Sequence, residues 1–374
     1  MESIYRNGYV NISARAASNS TIGCFFDRHP EPPTCRVQWS CSDCPVTGSI
    51  YIRSPERKAD NVRETPCDRR GWILQEQILS PRVLYYGLDQ LYWECCETSL
   101  RQDGRLDDDA LYLFANFPKL KVALGLSAMP SSTYTVDSRS HSWWVLLVEE
   151  YTRRSLTFAS DKLPALSGVA KAYQNVTGKS YVAGLWQEEL PMALTWHKRS
   201  RDHVEVSEHQ TSWSWARING KVSFASAWPR RLEEAECSVI DIRTQRNENL
   251  NPFDNVASAE LDLRGHVLDV TYRDVPDTSM GYRGNSVFAD DGHPLGQLNE
   301  DMPASKWPST DGLVCILIIT GATANGLLLA PDKSRAGIYK RVGLFRADTR
   351  VEDDGRVLVI ERFLQSDLRI LTIV

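Results

Sequence analysis

The sequence predicts an α+β chain in three parts: a first segment mixing a helix with a β-hairpin, a helical middle, and a β-rich C-terminal domain. Three observations predict it. Apolar residues recur at helical spacing around Leu74 and Ile78 and again from Trp143 to Tyr151. β-Branched and aromatic runs flank Gly87-Leu88-Asp89, and short apolar runs bounded by turn residues recur beyond Ser200. The expected bounds are 1–110, 111–199 and 200–374. With 42% hydrophobic and 24% charged residues, a chain of 374 residues has the composition of a folded protein of two or three domains.

Gly8 to Ala14 reads as a short strand, with Tyr9 and Asn11 on one side and Val10 and Ile12 on the other. Ile4-Tyr5 before it reads as the last turn of a helix, so the chain is expected to start in mid-domain. Pro30, Pro32, Pro33, Pro45, Pro55 and Pro66 make 27–66 an extended loop region holding one strand, Gly48 to Arg53. From Asp68 to Pro81, Leu74 and Ile78 lie four apart and Trp72 and Leu79 seven apart. That spacing predicts a helix of about three turns, with Asp68 as N-cap and Pro81 ending it. A hairpin follows, Arg82 to Tyr86 against Gln90 to Glu94, and then an acidic surface loop from Asp103 to Asp109.

Helical spacing returns from Ser142, through Trp143, Leu146, Leu147, Glu150 and Tyr151. A second helix is expected over Lys162 to Gln174, with Asp161 at its N-cap and Pro164 in its first turn. A shorter helical piece is expected between Tyr181 and Trp196. Beyond Ser200, β-like runs at 221–225, 237–242, 259–263, 266–272, 313–320, 326–329, 339–345 and 357–362 predict a separable antiparallel sandwich or barrel.

Composition narrows function. Lys and Arg number 43 against 48 Asp and Glu, a net charge of −5 with no basic block, which argues against nucleic acid as a partner. The longest apolar stretch, Leu313 to Ile319, falls far short of the ~20 residues that cross a bilayer. No secretory signal stands in the first thirty residues, so a cytoplasmic protein with mostly reduced thiols is expected. Cys41-Ser42-Asp43-Cys44 is one close pair among Cys24, Cys35, Cys41, Cys44, Cys67 and His29, whereas structural zinc usually takes two; no metal site is expected. His197, His203 and His209 lie six apart, which fits no ligand pair, and are expected to be exposed.

No dinucleotide-binding, P-loop, zinc-protease or serine-hydrolase motif is present. The remaining candidate chemistry lies between Arg70 and Cys96. Gln75 and Glu76 stand mid-helix in apolar surroundings, where a carboxylate beside an amide can stabilise the developing cation of a glycosyl transfer. Equally, Glu76 can pair with Arg70 or Arg82 and pin the helix to the hairpin.

The run Arg70-Gly71-Trp72-Ile73-Leu74-Gln75-Glu76-Gln77-Ile78-Leu79-Ser80-Pro81-Arg82-Val83-Leu84-Tyr85-Tyr86-Gly87, continuing through Gln90-Leu91-Tyr92-Trp93-Glu94-Cys95, closely resembles the final block of the fungal heterokaryon incompatibility (HET) domain. Met1 to Ala17 is similar to the end of that family's middle block. Asp161 to Ala170, Ala183-Gly184-Leu185-Trp186 and Ser212-Trp213-Ser214-Trp215-Ala216 resemble the regions that usually follow the domain. The family's upstream blocks have no counterpart here.

The resemblance implies an incomplete Toll/interleukin-receptor-like α/β sheet with an exposed edge. It also implies a cytoplasmic protein of non-self recognition and programmed cell death. Its partners would be proteins, including copies of itself, with no nucleic acid, no membrane span and no bound cofactor. The Toll-like kinship implies an alternative in which NAD is a substrate: Glu76 is the catalytic carboxylate of a glycohydrolase, Gln75 stands beside it, and Trp72 or Trp93 stacks the base. Arg70, Trp72, Ser80, Arg82, Trp93 and Glu94 are then the structural members of the motif. A third implication is a non-catalytic interaction module, and without the upstream blocks the chain is not expected to turn over NAD efficiently.

Overall fold

The computed structural model describes residues 2–27, 34–40, 47–53, 65–102, 117–126, 141–199, 205–207, 210–225, 235–245, 251–274, 286–321, 323–348 and 357–374. Strand (41%) outweighs helix (24%), so the fold is mixed and mostly β. No described helix is long and apolar enough to cross a membrane.

The first segment holds α1 (Glu2–Arg6), β1 (Asn11–Ser13), β2 (Thr34–Ser40), β3 (Thr47–Arg53), α2 (Gly71–Leu79), β4 (Arg82–Tyr86), β5 (Leu91–Cys95) and β6 (Ser99–Arg101). The expected hairpin is β4–β5; β6 extends it, and β1 joins in parallel at the edge, with Ile12 beside Leu84. The strand expected at 48–53 is half of an antiparallel ribbon with β2. Proline punctuation hid β2, although Cys35, Val37 and Trp39 alternate with polar residues. The acidic loop expected at 103–109 lies outside the described residues.

α2 is shorter than the 68–81 span expected. Arg70 stands at its N-cap without a side-chain cap bond, and Asp68 is drawn into an ion pair with Arg15 instead. Ser80 ends the helix in extended geometry (φ −78, ψ 122), as a residue before proline tends to do. Leu74, Ile78 and Leu79 are fully buried against the helical layer. A nine-residue helix is marginal alone, so this burial holds it in place. Leu74→Ala is expected to cost about 2–5 kcal/mol in urea unfolding; an unchanged midpoint would contradict the packing.

The middle contains α3 (Phe117–Ala123), α4 (His141–Tyr151) and α5 (Ser167–Thr177). α4 matches expectation. The helix expected over 162–174 starts later, because Ala159–Asp161 and Pro164–Leu166 are separate 3-10 turns. Asp161 does not cap α5; its carboxylate accepts the Trp72 indole N–H at 3.2 Å.

The piece expected to be helical between Tyr181 and Trp196 is not. β7 (Tyr181–Val182) and β8 (Leu185–Trp186) form a tight hairpin, followed by two 3-10 turns and β9 (Trp196–Lys198). Ala183 and Gly184 turn it with φ of 45° and 87°, the positive pair that a type I′ turn requires. The Gly184 carbonyl accepts the indole N–H of Trp144 at 3.0 Å and of Trp215 at 2.8 Å. A Cβ there would lie 2.8 Å from the Trp215 nitrogen, so glycine suits both the turn and the packing.

β10 (Glu205–Val206) pairs β11 (Ile218–Asn219), and β12 (Val222–Phe224) pairs β9, so this layer crosses the 199/200 boundary expected from the sequence. His197, on β9, is half-buried rather than exposed, and burial lowers its pKa; His203 and His209 lie outside the described residues.

Beyond them come β13 (Cys237–Gln245), β14 (Ser258–Tyr272), β15 (Val287–Ala289), β16 (Pro294–Glu300), β17 (Leu313–Ile319), β18 (Thr323–Pro331), β19 (Ile338–Asp348), α6 (Val357–Gln365) and β20 (Leu368–Ile373). β14, β15, β16, β19, β18 and β17 pair in turn, and β17 returns to β14, closing a barrel. The runs expected at 259–263 and 266–272 are one strand, β14, whose first half carries β13 and β20 on its two sides. The run at 357–362 is not a strand but part of α6, which places Val359 and Phe363 in the barrel core.

The uninterrupted apolar run of β17 has a physical reason. Leu313, Cys315 and Leu317 belong to the barrel core, while Val314, Ile316 and Ile318 belong to the core shared with the helical layer. A strand buried on both faces loses the usual alternation.

Candidate functional site

α2 presents its polar side chains to different neighbours. Gln75 is buried, and its Oε1 accepts the backbone N–H of Gly168 at 2.7 Å, satisfying a donor in the first turn of α5. Glu76 is half-buried and accepts a hydrogen bond from the Tyr5 hydroxyl of α1, with Arg70 close enough to act on its charge. Burial pushes the Glu76 carboxyl above its ordinary value, against the opposing pull of Tyr5 and Arg70. Of the two arginines expected as partners, Arg82 goes elsewhere: its guanidinium lies 5.0 Å over the Tyr9 ring and donates to the Tyr9 carbonyl. Arg70 also makes an isolated parallel bridge with Ser155.

The other motif residues are likewise engaged or packed. Ser80 donates to the Glu76 carbonyl at 2.7 Å and accepts from Lys121 Nζ through its own carbonyl at 2.7 Å. Trp93 is half-buried on β5 opposite Leu84. Glu94 is buried and pairs with Lys121 at 2.7 Å.

Beneath α2 lies a polar network that the sequence reading did not identify. Arg15 Nε meets Asp68 Oδ2 at 2.6 Å, and the Gln77 amide donates to Asp68 Oδ1 at 2.8 Å. Arg154 Nη2 donates to Gln77 Oε1 at 3.1 Å and lies 3.7 Å from Glu150. The Arg15 guanidinium stacks 5.0 Å from the Tyr85 ring, whose hydroxyl donates to Glu94 at 3.4 Å. Burial works to raise the Asp68 pKa, but Arg15, Arg154 and the hydrogen bonds from Thr65 and Gln77 outweigh it and hold it below its ordinary value.

Charge in this network balances. Arg15, Lys121 and Arg154 face Asp68, Glu94 and Glu150, all six residues buried. Paired in this way, the charges hold α2, the β4–β5 hairpin and α4 together. The residues come from 15, 68, 77, 94, 121, 150 and 154, and apart from the i,i+4 pair Glu150–Arg154 no local spacing connects them.

Among the described residues no group of three or more His, Cys, Asp or Glu could hold a metal ion. Cys24, Cys35 and Cys67 carry free thiols, and Cys41 and Cys44 lie outside the described residues. The NAD reading asks for an open wall beside Glu76 lined by Trp72 or Trp93. Trp72 instead reaches Asp161 on the side of α2 facing the middle layer, while Trp93 belongs to the sheet.

A concavity lies elsewhere. A cleft of about 1260 Å³ opens where 205–207, 210–217, the start of β14 and the 302–308 and 335–340 segments meet. No residue between 70 and 95 lines it. No protein-family model, curated protein or solved structure matches the chain.

Proposed function

We propose that this chain is a fungal HET-type protein of non-self recognition and programmed cell death that acts in the cytoplasm through protein contacts rather than catalysis. The observation supporting the non-catalytic part is the engagement of Gln75, Glu76 and Glu94 by partners within the chain. The HET part rests on the resemblance of residues 70–95; within that segment α2 packs into the core of the helical layer, while Val83, Tyr85 and Tyr92 of the hairpin form a small cluster of their own. The incomplete Toll-like sheet is part of the same proposal, and the edge position of β1 supports it. Protein partners, self-association among them, fit the exposed Tyr9 and Ile12 along that edge.

The NAD glycohydrolase reading is carried by the resemblance alone, since stabilising a developing cation needs the ionised carboxylate and burial works against that form at Glu76. The two readings separate in one experiment. The chain and its Glu76→Gln variant are incubated with NAD, and nicotinamide release is followed; both are then expressed in hyphae and scored for cell death on fusion. The contact reading expects no release above blank and equal death with either protein. Release that disappears with Glu76→Gln would establish the enzyme instead, and absence of any death response to the intact chain would remove the HET role.

A further inference from the structure

One basic side chain in the core has no partner of opposite sign. Lys162, between the two 3-10 turns that precede α5, is 5% exposed and makes no ion pair among the described residues. Its Nζ donates to the Ile218 carbonyl of β11, and the Trp215 ring lies 5.9 Å away. Trp215 and Ile218 are both fully buried. An ammonium carries several donors and is strongly hydrated, so one carbonyl replaces little of what burial removes.

The groups around the amine do not supply the missing charge. Asp161, next to it in the chain, turns its carboxylate to the Trp72 indole. Tyr151 of α4 donates its hydroxyl to the Lys162 carbonyl at 2.7 Å. Arg154, after α4, faces Gln77 and Glu150, and Arg217, before β11, donates to the Arg341 carbonyl. Arg154, Asp161 and Tyr181 of β7 act electrostatically on Tyr151 rather than on the amine, whose pKa is lowered to about 7 by burial alone.

The element that the amine holds is slender. β11 pairs with β10 over two residues, and the Ser207 N–H extends the pairing to the Arg217 carbonyl at 2.8 Å. Glu205, Val206 and Arg217 line the cleft, so the β10–β11 pair forms one of its walls. So short a ladder opens at lower cost than the long strands of the barrel.

We propose that Lys162 is a pH-operated latch on this wall: the neutral amine closes on the Ile218 carbonyl, and uptake of a proton favours an opened β10–β11 pair in which the ammonium reaches water. The latch does not depend on the HET reading. Its direction follows from proton linkage. An exposed lysine keeps its proton up to pH ~10, the closed one only up to about 7. Between those values opening takes up a proton, so each unit of falling pH favours it about tenfold; below about 7 both forms are protonated and the effect levels off.

Two measurements on the full chain test this. Carbon NMR of the lysine side chains, followed with pH, should show one lysine titrating near neutrality that is missing from Lys162→Met. Lysines that all titrate at the ordinary value would overturn the proposal. Amide hydrogen exchange at β10–β11 is then compared between the two proteins from pH ~7 to ~9. The wild-type rate divided by the Lys162→Met rate should fall about tenfold per pH unit, while the same ratio at β18 stays level. A level ratio at β10–β11, or an equal fall at β18, would show that there is no local latch. If Lys162→Met fails to fold, wild type alone decides. Opening that declines while base-catalysed exchange quickens leaves the β10–β11 amides exchanging at a nearly constant rate, and a rate that climbs with pH as at β18 would overturn the latch.

Discussion

Asp301→Ala is expected to cost about 3–5 kcal/mol of folding stability, the usual penalty for removing one partner of a buried ion pair. Asp301 and Arg341 are both fully buried, with Nε to Oδ2 at 2.9 Å and Nη2 to Oδ1 at 3.3 Å. Arg341 also donates through Nη1 to the Leu194 carbonyl at 2.6 Å and through Nη2 to the Trp196 carbonyl, and its guanidinium carbon lies 3.4 Å from the Trp196 ring centroid. One side chain on β19 thus ties the barrel to the turn entering β9. Burial pulls the Arg341 pKa down and Asp301 opposes it, so removing Asp301 leaves a guanidinium with neither water nor a counter-charge.

The loss is a large fraction of a typical total of ~5–15 kcal/mol. It should also loosen the cleft, because the Arg341 carbonyl accepts from Arg217 at 3.0 Å and its N–H donates to Ser212 Oγ at 3.0 Å. The check is urea unfolding of Asp301→Ala beside an Asp301→Leu, Arg341→Met double variant. The double variant should recover much of the loss, since replacing both charges removes the stranded one. A single variant within about 1 kcal/mol of the parent, the size of an ordinary substitution, would show that the pair does not carry this weight.

Where local chemistry decided the structure, the sequence was legible. α2 followed from apolar residues four apart and from Pro81, and the β4–β5 hairpin from its aromatic runs around Gly87. Tertiary contacts misled elsewhere. Arg264-Gly265 divides β14 into two expected runs, because glycine inside an apolar run reads as a turn. In the fold Gly265 marks a close approach instead, since a Cβ there would lie 2.7 Å from the Cys237 Cβ. α6 opens with a β-branched run, and its helical period appears only when Phe363 is set four residues after Val359. The hairpin at 181–186 has only two residues per strand, all buried, so the alternation that marks a strand has no length in which to show. The resemblance at 70–95 lies in contiguous residues; the engagement of that segment with Tyr5, Gly168 and Lys121 does not, because those partners lie far along the chain.

Asp68→Ala should produce a loss of similar size, about 3–5 kcal/mol, and the wild-type pair should also show it as a dependence on pH. Asp68 is 4% exposed and receives Arg15, the Gln77 amide and the Thr65 hydroxyl, so alanine strands a buried guanidinium and several donors together. Its folded pKa lies below the ordinary carboxylate value. The unfolded chain therefore takes up a proton near pH ~4 while the folded chain does not. The stabilisation is fully present above that unfolded pKa and declines as pH falls through the window toward the lower folded pKa. Asp68→Asn keeps the shape but removes the titration, so its stability should be lower than wild type at neutral pH and converge with it in acid. Unfolding free energies of both proteins, compared from neutral pH to below pH ~3, test this directly. Parallel curves across that range would show that the acid sensitivity belongs to other carboxylates. Convergence would place it on the pair that joins the loop after β1 to the start of α2.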